Sequence, residues 1–341
     1  MPRWIVVGML VALLGAPLGG GCAGPGDDPL VAVGVEHGCG LWDGALQCWG
    51  SNDHGQLGVD LATLSPIGVA AGGGTTCALD RDGAVWCFGQ NHRGQLGDGS
   101  FDDSATPRRV EGLAPAVGVT VGFAHACAWT ADGAVCCWGW NGSGQSEPGA
   151  GPADVLAPAC RDLDARRVVA GFDTTCVIDR RDHLACFGGY EVSADAVHDV
   201  AVGADHVCAL SADAVTCHGV EPGGAGEPLT RPRVIPFSGG ALAAGAIDHL
   251  CVTDAAGALF CMGKNDHGQL GDGSFALRPA PSAVRGLPSP VTSVGVGDRH
   301  TCAAAAGRVW CWGWNDRGQL GDDGGVHSLD PQPVDRGVQE D

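Results

Sequence analysis

A hairpin bracketed by two cysteines recurs seven times along this chain of 341 residues, and no other feature constrains the fold as strongly. One copy occupies residues 77–87 and is followed by a Gly-Gln-Leu-Gly turn at 94–97. The first cysteines of consecutive copies stand 32 to 51 residues apart, which is the spacing of solenoid, array or propeller repeats. The chain is therefore expected to consist of repeated supersecondary units.

The two cysteine spacings agree with one hairpin geometry reached through two turn types. Three copies have eight residues between the cysteines, which leaves a two-residue loop; in the first copy it is Asp43-Gly44, a strong type I′ signal. Four copies have nine intervening residues, which requires a three-residue loop that ends in a left-handed residue. Both loops place the cysteines opposite each other at a non-hydrogen-bonded position, where Cα atoms about 4.5 Å apart suit a disulfide. The last residues of the longer loops are Gly83, Gly133, Asp182 and Gly257.

Seven disulfides are therefore predicted in preference to buried free thiols, because chance would not preserve the register through two loop lengths. Each would contribute about 2 to 3 kcal/mol and fix the register of its hairpin. The sequence leaves open whether Cys160 pairs with Cys136, because Cys136 is also explained as a small strand residue. The predicted pairs are Cys39 with Cys48, Cys77 with Cys87, Cys127 with Cys137, Cys176 with Cys186, Cys208 with Cys217, Cys251 with Cys261, and Cys302 with Cys311.

The N-terminus has the features of an export signal. Arg3 precedes an apolar run at 4–14, which is too short to span a bilayer as a mature helix, and small residues lead up to Cys22. Residues 19–22 resemble the lipobox of bacterial lipoproteins, in which the cysteine is lipidated and becomes the mature N-terminus, although Gly19 stands where that family usually has leucine. A lipid anchor in the cell envelope is predicted, at the outer membrane if the cell is Gram-negative, with ordinary secretion as the alternative.

The export signal and the repeats divide the chain into four parts. A signal peptide is expected at 1–21 and a flexible, lipid-anchored tether, rich in Gly, Pro and Asp, at 22–29. The repeats fill 30–336, and a short tail follows at 337–341. No other stretch is long and apolar enough to cross a membrane.

Each complete repeat continues from its hairpin into an asparagine and a glycine-rich turn. The motif stands at 49–52 with 55–58, at Asn91 with 94–99, at 264–265 with 268–273, and at 312–315 with 318–321. It closely resembles the RCC1-repeat family (regulator of chromosome condensation), over nearly everything after the tether. The resemblance implies an all-β fold, a seven-bladed β-propeller of four-stranded blades, and this number of blades agrees with the seven cysteine pairs.

The ends of the chain predict how such a ring would close. A strand ending in Pro-x-x-Val precedes later repeats, as at 106–110, but the first repeat starts directly at 30–33. A matching segment without a following repeat stands at 330–334. The C-terminal strand is therefore expected to complete the first blade, which would hide an exposed sheet edge.

The recurring polar residues indicate structural roles. One histidine stands two residues before the first cysteine in five repeats, with Thr75 or Thr174 in the other two, and equivalent positions would spread these side chains around a ring. We expect them to satisfy backbone groups at strand starts. His54, His92 and His267, in the turns, are again one per blade. The five strand histidines are His37, His125, His206, His249 and His300.

No catalytic, metal or cofactor site is predicted. The aspartates of the glycine-rich turns lack the spacing of a calcium loop, although calcium at a turn stays open, and the turns lack the lysine and helix of a phosphate loop. Trp49, Trp138 and Trp312 are interpreted as blade core. Trp140 and Trp314, which alternate to the opposite face, are the candidates for a binding rim.

Charge restricts the class of partner. With 39 acidic and 19 basic residues the formal net charge is −20, so the surface repels nucleic acid and anionic lipid headgroups. Chromatin binding, known for some members of the family, is not expected here. Guanine nucleotide exchange is also disfavoured, because an exported protein would not meet a cytosolic GTPase and fold alone does not carry an activity.

Two classes of function remain. A monomeric, non-catalytic scaffold would bind a protein or glycan through loops on one face of the propeller, with the bilayer as a second partner through Cys22. A hydrolase or lyase with a site at the central channel is the alternative. Unique polar residues in non-repeated loops would favour the enzyme, and the polar residues of this chain are mostly repeated ones.

Overall fold

The computed structural model describes residues 29–220, 229–244 and 249–334. The predicted signal peptide, Cys22, the tether up to residue 28 and the tail at 337–341 lie outside the described residues. Within them the regular structure is strand, apart from one 3₁₀ helix, η1, at Leu61–Thr63. No helix in this part of the chain has the length and apolar character needed to span a bilayer.

Seven antiparallel sheets follow one another in chain order, and each is a meander of consecutive strands. The first blade contains β1 (Leu30–Val33), β2 (His37–Trp42) and β3 (Ala45–Gly50). The second contains β4 (Pro66–Gly72), β5 (Thr75–Asp80), β6 (Val85–Gly89) and β7 (Ser104–Arg109); the third β8 (Ala116–Val121), β9 (His125–Thr130), β10 (Ala134–Gly139) and β11 (Val155–Asp162). The fourth contains β12 (Ala165–Ala170), β13 (Thr174–Asp179), β14 (Leu184–Gly188) and β15 (Ser193–Ala194).

The remaining three blades repeat this arrangement. The fifth contains β16 (Asp199–Val202), β17 (His206–Leu210), β18 (Ala214–Gly219) and β19 (Arg233–Pro236); the sixth β20 (Gly239–Ala244), β21 (His249–Asp254), β22 (Leu259–Gly263) and β23 (Arg278–Ala283). The seventh contains β24 (Val291–Val296), β25 (His300–Ala305), β26 (Arg308–Gly313) and β27 (Ser328–Pro333). The first strand of each blade contacts the first strand of the next around the whole ring, including β24 with β1. The expected seven-bladed propeller is confirmed.

The hairpins have the predicted register. The seven cysteine pairs stand directly opposite each other and are bridged, with Cα atoms 4.0 to 4.1 Å apart. Asp43 and Gly44 have φ angles of 51° and 81°, as a type I′ turn requires. The last residues of the three-residue loops are all left-handed, and even Asp182 has a φ of 61°. Two loop lengths therefore produce one blade geometry.

An eighth disulfide joins Cys136 to Cys160, the pair that the sequence left open. Successive side chains on a strand point to opposite faces of the sheet. On β10, Cys137 is therefore bridged to Cys127 of β9, and Cys136 is bridged to Cys160 of β11. The third blade is thus fastened across three of its four strands.

The prediction that the C-terminal strand completes the first blade is wrong. The last strand, β27, pairs with β26 of the seventh blade, where Gln332 faces Cys311. In every other complete blade the outer strand likewise follows its own hairpin. The first blade has three strands, because residues 51–65 between β3 and β4 are a short link that carries η1 instead of an outer strand.

The ring closes through side chains. The backbone amide of Val31 donates to Ser293 Oγ over 3.1 Å, and Trp49 Nε1 donates to the carbonyl oxygen of Gln319 over 3.0 Å. The second bond is repeated at other seams, where Trp138 and Trp312, both fully buried, donate to the carbonyls of Gln95 and Gln269. Trp138 and Trp312 are core residues, as predicted, whereas Trp49 is half-buried. Each of the three tryptophans ties its blade to the turn of the preceding one.

Candidate functional site

In the six blades whose loop between the first and second strands is described, these loops meet at one end of the central channel. The turns that follow the third strands lie on the same side, because the amide of Gln90 donates to the carbonyl of Gly74 and that of Trp140 to the carbonyl of Ala124. We call this side the channel face. Close approach explains its recurring glycine: a Cβ on Gly122 would lie 2.1 Å from the carbonyl oxygen of Gly171 in the next blade.

The mouth of the channel is an open cavity whose described wall carries only apolar side chains. Six blades contribute to it, and the described residues that line it are glycine, alanine, valine and phenylalanine, none of which has an ionisable side chain. The described part of the wall therefore offers apolar contact and backbone groups, and none of its side chains could act as an acid or base toward a bound molecule. The larger side chains of the lining are Val33, Val35, Val121, Phe123, Phe172, Val202 and Val296.

An aromatic cluster stands at this mouth. Phe123 of the third blade stacks on Phe172 of the fourth with ring centroids 4.3 Å apart, and Trp140 meets the edge of Phe172 at 6.1 Å. Phe123 is 38% exposed although it is an apolar side chain at a blade junction. The sequence analysis named Trp140 and missed the two phenylalanines. Their signal is a phenylalanine directly after the loop glycine, which among the seven repeats occurs only in two neighbouring ones.

The second predicted rim residue, Trp314, has a different environment. It occupies the place of Trp140 in the seventh blade, with the guanidinium carbon of Arg299 5.5 Å from its ring centroid and the ring of His267 6.1 Å away. Both tryptophans are half-buried on the channel face. They do not form one cluster, because they belong to the third and seventh blades.

Acidic residues flank the aromatic cluster. Burial raises the pKa of Asp173, the neighbour of Phe172, and the nearby carboxylate of Asp205 raises it further, against the hydrogen bond from Thr174. Burial also raises the pKa of Tyr190, and the carboxylates of Asp205 and Asp173 raise it further. A negatively charged patch therefore adjoins an apolar one on the fourth and fifth blades.

Two turn histidines meet at the seam between the first and second blades, contrary to the expectation that one per blade would keep them apart. His54 Nδ1 lies 2.7 Å from Asp103 Oδ2, and His92 Nδ1 lies 4.0 Å from Asp103 Oδ1. The link after β3 and the long segment between β6 and β7 bring these residues together. Among the described residues this is the one group of three potential metal ligands whose donor atoms all lie within 4.8 Å of one another.

The strand histidines are structural, as predicted, although their partners differ from those expected. Nε2 of His37, His125 and His249 lies 2.8 to 2.9 Å from the hydroxyl of Thr76, Thr175 or Thr301 in the next blade, whereas backbone groups were predicted. Each threonine donates in turn to the carbonyl of the turn glutamine, so the histidine must donate. Burial lowers the pKa of His37 to about 4 and of His125, His249 and His300 to about 3.

The aspartates of the turns are used by the turns themselves. Asp272 accepts hydrogen bonds from Asn265, Ser274 and Arg278, the last over 2.6 Å. Asp98 accepts from Ser100 in the same way. The asparagine that opens each complete turn accepts from the amide five residues later, as Asn91 does from Leu96. These carboxylates and amides therefore serve the architecture of the turns.

The sequence and the fold were both compared with known proteins. The profile described as the Regulator of chromosome condensation (RCC1) repeat matches residues 82–129, 256–304 and 306–339, and a second profile of the same repeat matches 67–95 and 291–319. A comparison with curated proteins found no match.

Several solved structures have a similar fold. Prp20p from Saccharomyces cerevisiae, whose structure was described with its binding properties to Gsp1p and histones, is 19% identical over 91% of this chain and 77% of that chain, with a TM-score of 0.54. The CRINKLY WD40 ectodomain of the receptor kinase ACR4 from Arabidopsis thaliana is 18% identical over 84% and 96% of the two chains, at a TM-score of 0.57. The entire ectodomain of the receptor kinase CR4 from Physcomitrella patens is 17% identical over 84% and 74%, at 0.58. At such identities the likeness shows the fold alone.

Proposed function

We propose that this chain, which belongs to the RCC1-repeat family of β-propellers, is a non-catalytic protein of the cell envelope that binds a protein or glycan partner on its channel face. The observation that carries the proposal is the channel mouth. Its described lining is apolar, and an aromatic cluster of the exposed Phe123 with the half-buried Trp140 and Phe172 stands at its edge. Aromatic side chains that are rigid and partly exposed are the usual anchors of a binding interface.

A protein partner with a cationic, apolar surface fits the chemistry best. Asp173 and Asp205 adjoin the aromatic cluster, and the whole chain has a formal net charge of −20, so long-range attraction would steer a basic partner toward this face. The apolar cluster would then supply the desolvated contact that holds it. A hydrolase or lyase at the channel is disfavoured, because the described lining offers no ionisable side chain for acid–base chemistry.

Export of the chain agrees with its cysteine chemistry. Eight disulfides are consistent with an oxidising compartment outside the cytoplasm. Two of the similar structures are ectodomains of receptor kinases, so this fold also serves outside the membrane in other proteins. For the same reason guanine nucleotide exchange is not proposed, and Cys22 remains the proposed site of lipid attachment.

Binding through the aromatic cluster is tested by comparing two exposed phenylalanines. The partner is first captured by cross-linking on intact cells with the tagged chain, then purified and titrated against wild type and against Phe123→Ala. Loss of an anchor should weaken binding by at least about 2 kcal/mol, or about 30-fold. Phe275→Ala is the matched control, because Phe275 is 58% exposed in a turn that follows β22. Equal affinities for Phe123→Ala and Phe275→Ala would refute binding at the channel mouth.

A further inference from the structure

Three side chains from two consecutive blades converge on one point of the channel face. His54 belongs to the link after β3 of the first blade, and His92 and Asp103 belong to the segment between β6 and β7 of the second. One donor atom from each lies within 4.8 Å of the other two. We call this group the seam cluster. It shares no residue with the apolar lining of the channel mouth.

The spacing of the seam cluster suits a small divalent ion. Zn²⁺ binds imidazole nitrogen and carboxylate oxygen at about 2.0 to 2.2 Å, which in a tetrahedral site separates neighbouring ligand atoms by about 3.3 Å. The distances of 2.7 Å from His54 Nδ1 to Asp103 Oδ2 and of 4.0 Å from His92 Nδ1 to Asp103 Oδ1 lie on either side of this value. Small side-chain rotations would therefore bring all three atoms to bonding distance.

Hydrogen bonds from neighbouring residues also orient the three ligand residues. Asp103 Oδ1 accepts a hydrogen bond of 2.7 Å from the backbone amide of Asn91, an asparagine that is fully buried. The side-chain amide nitrogen of Gln90 lies 2.7 Å from His92 Nε2, and a flip of this amide, which exchanges its nitrogen and oxygen, would let Gln90 accept the ring proton of His92 while a metal occupies Nδ1. The amide of His54 donates to Gln56 Oε1 over 2.9 Å. Outer contacts of this kind orient the ligands of metal sites.

The position leaves room for an exchangeable ligand. The side chains of His54 and Asp103 are each 36% exposed and that of His92 is 56% exposed. A second cavity on the channel face is lined by His54, Gln90 and Phe123. An open coordination position on the metal would therefore point into this cavity, beside the aromatic cluster. The strongly negative chain raises the local concentration of cations.

The seam between the sixth and seventh blades carries a related set that does not converge. His267, Asp316 and His327 stand there, and the Nδ1 atom of His327 accepts from the backbone amide of Asn315 as Asp103 does from that of Asn91. The Nδ1 atom of His267, however, lies 3.0 Å from its own neighbour Asp266. The same residue types are thus present in a geometry that does not gather three ligand atoms, which makes His267 a matched control.

We propose that His54, His92 and Asp103 bind a divalent transition-metal ion of the Zn²⁺ class at the seam of the first two blades. A set of two imidazoles and one carboxylate selects Zn²⁺ over hard cations such as Ca²⁺, because Zn²⁺ binds imidazole nitrogen well and Ca²⁺ prefers ligands that are all oxygen. The ion would link the first two blades at a seam where the first blade has no outer strand. The test of this site does not depend on the proposed partner, because it measures metal binding directly.

The test is titration of the chelator-treated, disulfide-intact full chain with Zn²⁺ by calorimetry. Wild type should bind one ion at the seam. His54→Ala and His92→Ala should each lower the affinity at least about 10-fold, because loss of an outer-shell partner alone costs about that much and loss of a ligand should cost no less. His267→Ala should bind like wild type, and Ca²⁺ should not compete. The same affinity in wild type, His54→Ala and His92→Ala, or no heat of binding in wild type, would overturn the proposal.

The change in melting temperature on adding Zn²⁺ is a second measurement, and it can be read even from variants whose own stability has changed. Zn²⁺ should raise the melting temperature of wild type and of His267→Ala, because an ion that binds only the folded chain stabilises it. It should leave His54→Ala and Asp103→Asn unshifted, whatever their own melting temperatures are. A Zn²⁺-dependent shift that persists undiminished in both variants would count against the seam cluster.

Discussion

His37 Nε2 lies 2.9 Å from Thr76 Oγ1 across the seam between the first and second blades. The threonine hydroxyl donates onward to the carbonyl of Gln56, so three residues from two blades and a turn form one buried chain of hydrogen bonds. The same chain recurs through His125 with Thr175 and through His249 with Thr301. The repeated histidines therefore fasten neighbouring blades to each other.

Removing the threonine hydroxyl should destabilise the propeller. In Thr76→Val the shape is preserved, but His37 Nε2 and the Gln56 carbonyl lose their buried partner, at a cost of about 1 to 3 kcal/mol for each group. We expect the free energy of unfolding to fall by about 2 kcal/mol or more in urea titrations. The control is Thr63→Val, because the hydroxyl of Thr63 bonds only to Asp60 at an exposed turn. Similar losses in the two variants would contradict the role given to the histidine–threonine bond.

The buried histidines also predict how stability depends on pH. Burial lowers the pKa of His37 from 6.5 to about 4 and of His125, His249 and His300 from 6.5 to about 3. Below about pH 6.5 these histidines bind protons in the unfolded chain but not in the folded one. Their contribution to the free energy of unfolding is therefore fully present above that pH and is lost as the pH decreases toward 4. Each histidine contributes a slope of up to about 1.4 kcal/mol per pH unit.

Replacement of one histidine isolates its share of that slope. His125→Thr introduces the residue type that stands at this position in the second and fourth blades, as Thr75 and Thr174. The difference in unfolding free energy between the variant and wild type should shrink by about 1.4 kcal/mol for each pH unit from 6 to 4. A difference that is constant over this range would show that His125 is not held neutral by burial.

The sequence predicted most of the architecture because hairpin register is local. The two cysteine spacings sufficed for the loop types, down to the left-handed Asp182, since a strand pair of fixed length admits few loops. Non-local pairing was harder to infer. The segment at 330–334 was assigned to the first blade, but β26 precedes it within the same repeat and offers the nearer free edge. The short link at 51–65 was the signal that the first blade would lack an outer strand.

The candidate sites were less predictable because they arise between blades. Phe123 and Phe172 are 49 positions apart in the sequence and stack only because the third and fourth blades are adjacent. His54 and His92 were counted as one per blade, which is correct, yet turns of neighbouring blades touch at the seam. Equivalent positions in consecutive repeats should therefore be treated as neighbours in space.

The disulfide between Cys136 and Cys160 should stabilise the third blade. Its cysteines are 24 positions apart, against 10 for Cys127 and Cys137, so it closes the longer loop. The chain-entropy model gives about 3.5 kcal/mol for the longer loop and about 2.8 kcal/mol for the shorter one. Peptide mapping of the unreduced protein should recover both bridges, and Cys136→Ala with Cys160→Ala should lower the stability in urea. Recovery of Cys136 and Cys160 as free thiols, or unchanged stability of the double variant, would contradict this assignment.

Membrane attachment should depend on one cysteine. Cys22→Ser removes the proposed site of lipidation and leaves the proposed export signal at 1–21 unchanged, so the protein should move from the membrane fraction to the soluble extracytoplasmic fraction. Fractionation with immunodetection measures this change. Wild-type protein found in the soluble fraction, in the same proportion as the variant, would support ordinary secretion instead.

Site-specific photo-cross-linking on intact cells tests the binding account most directly. A photoreactive amino acid at position 123 would stand on the channel face beside Phe172. The same amino acid at position 326, where Val326 is 77% exposed in the turn between β26 and β27 of the seventh blade, would report on a part of the channel face away from the aromatic cluster. We predict one specific adduct from position 123 that is absent from position 326. Adducts of equal yield from both positions, or from position 326 alone, would contradict partner binding at the channel mouth.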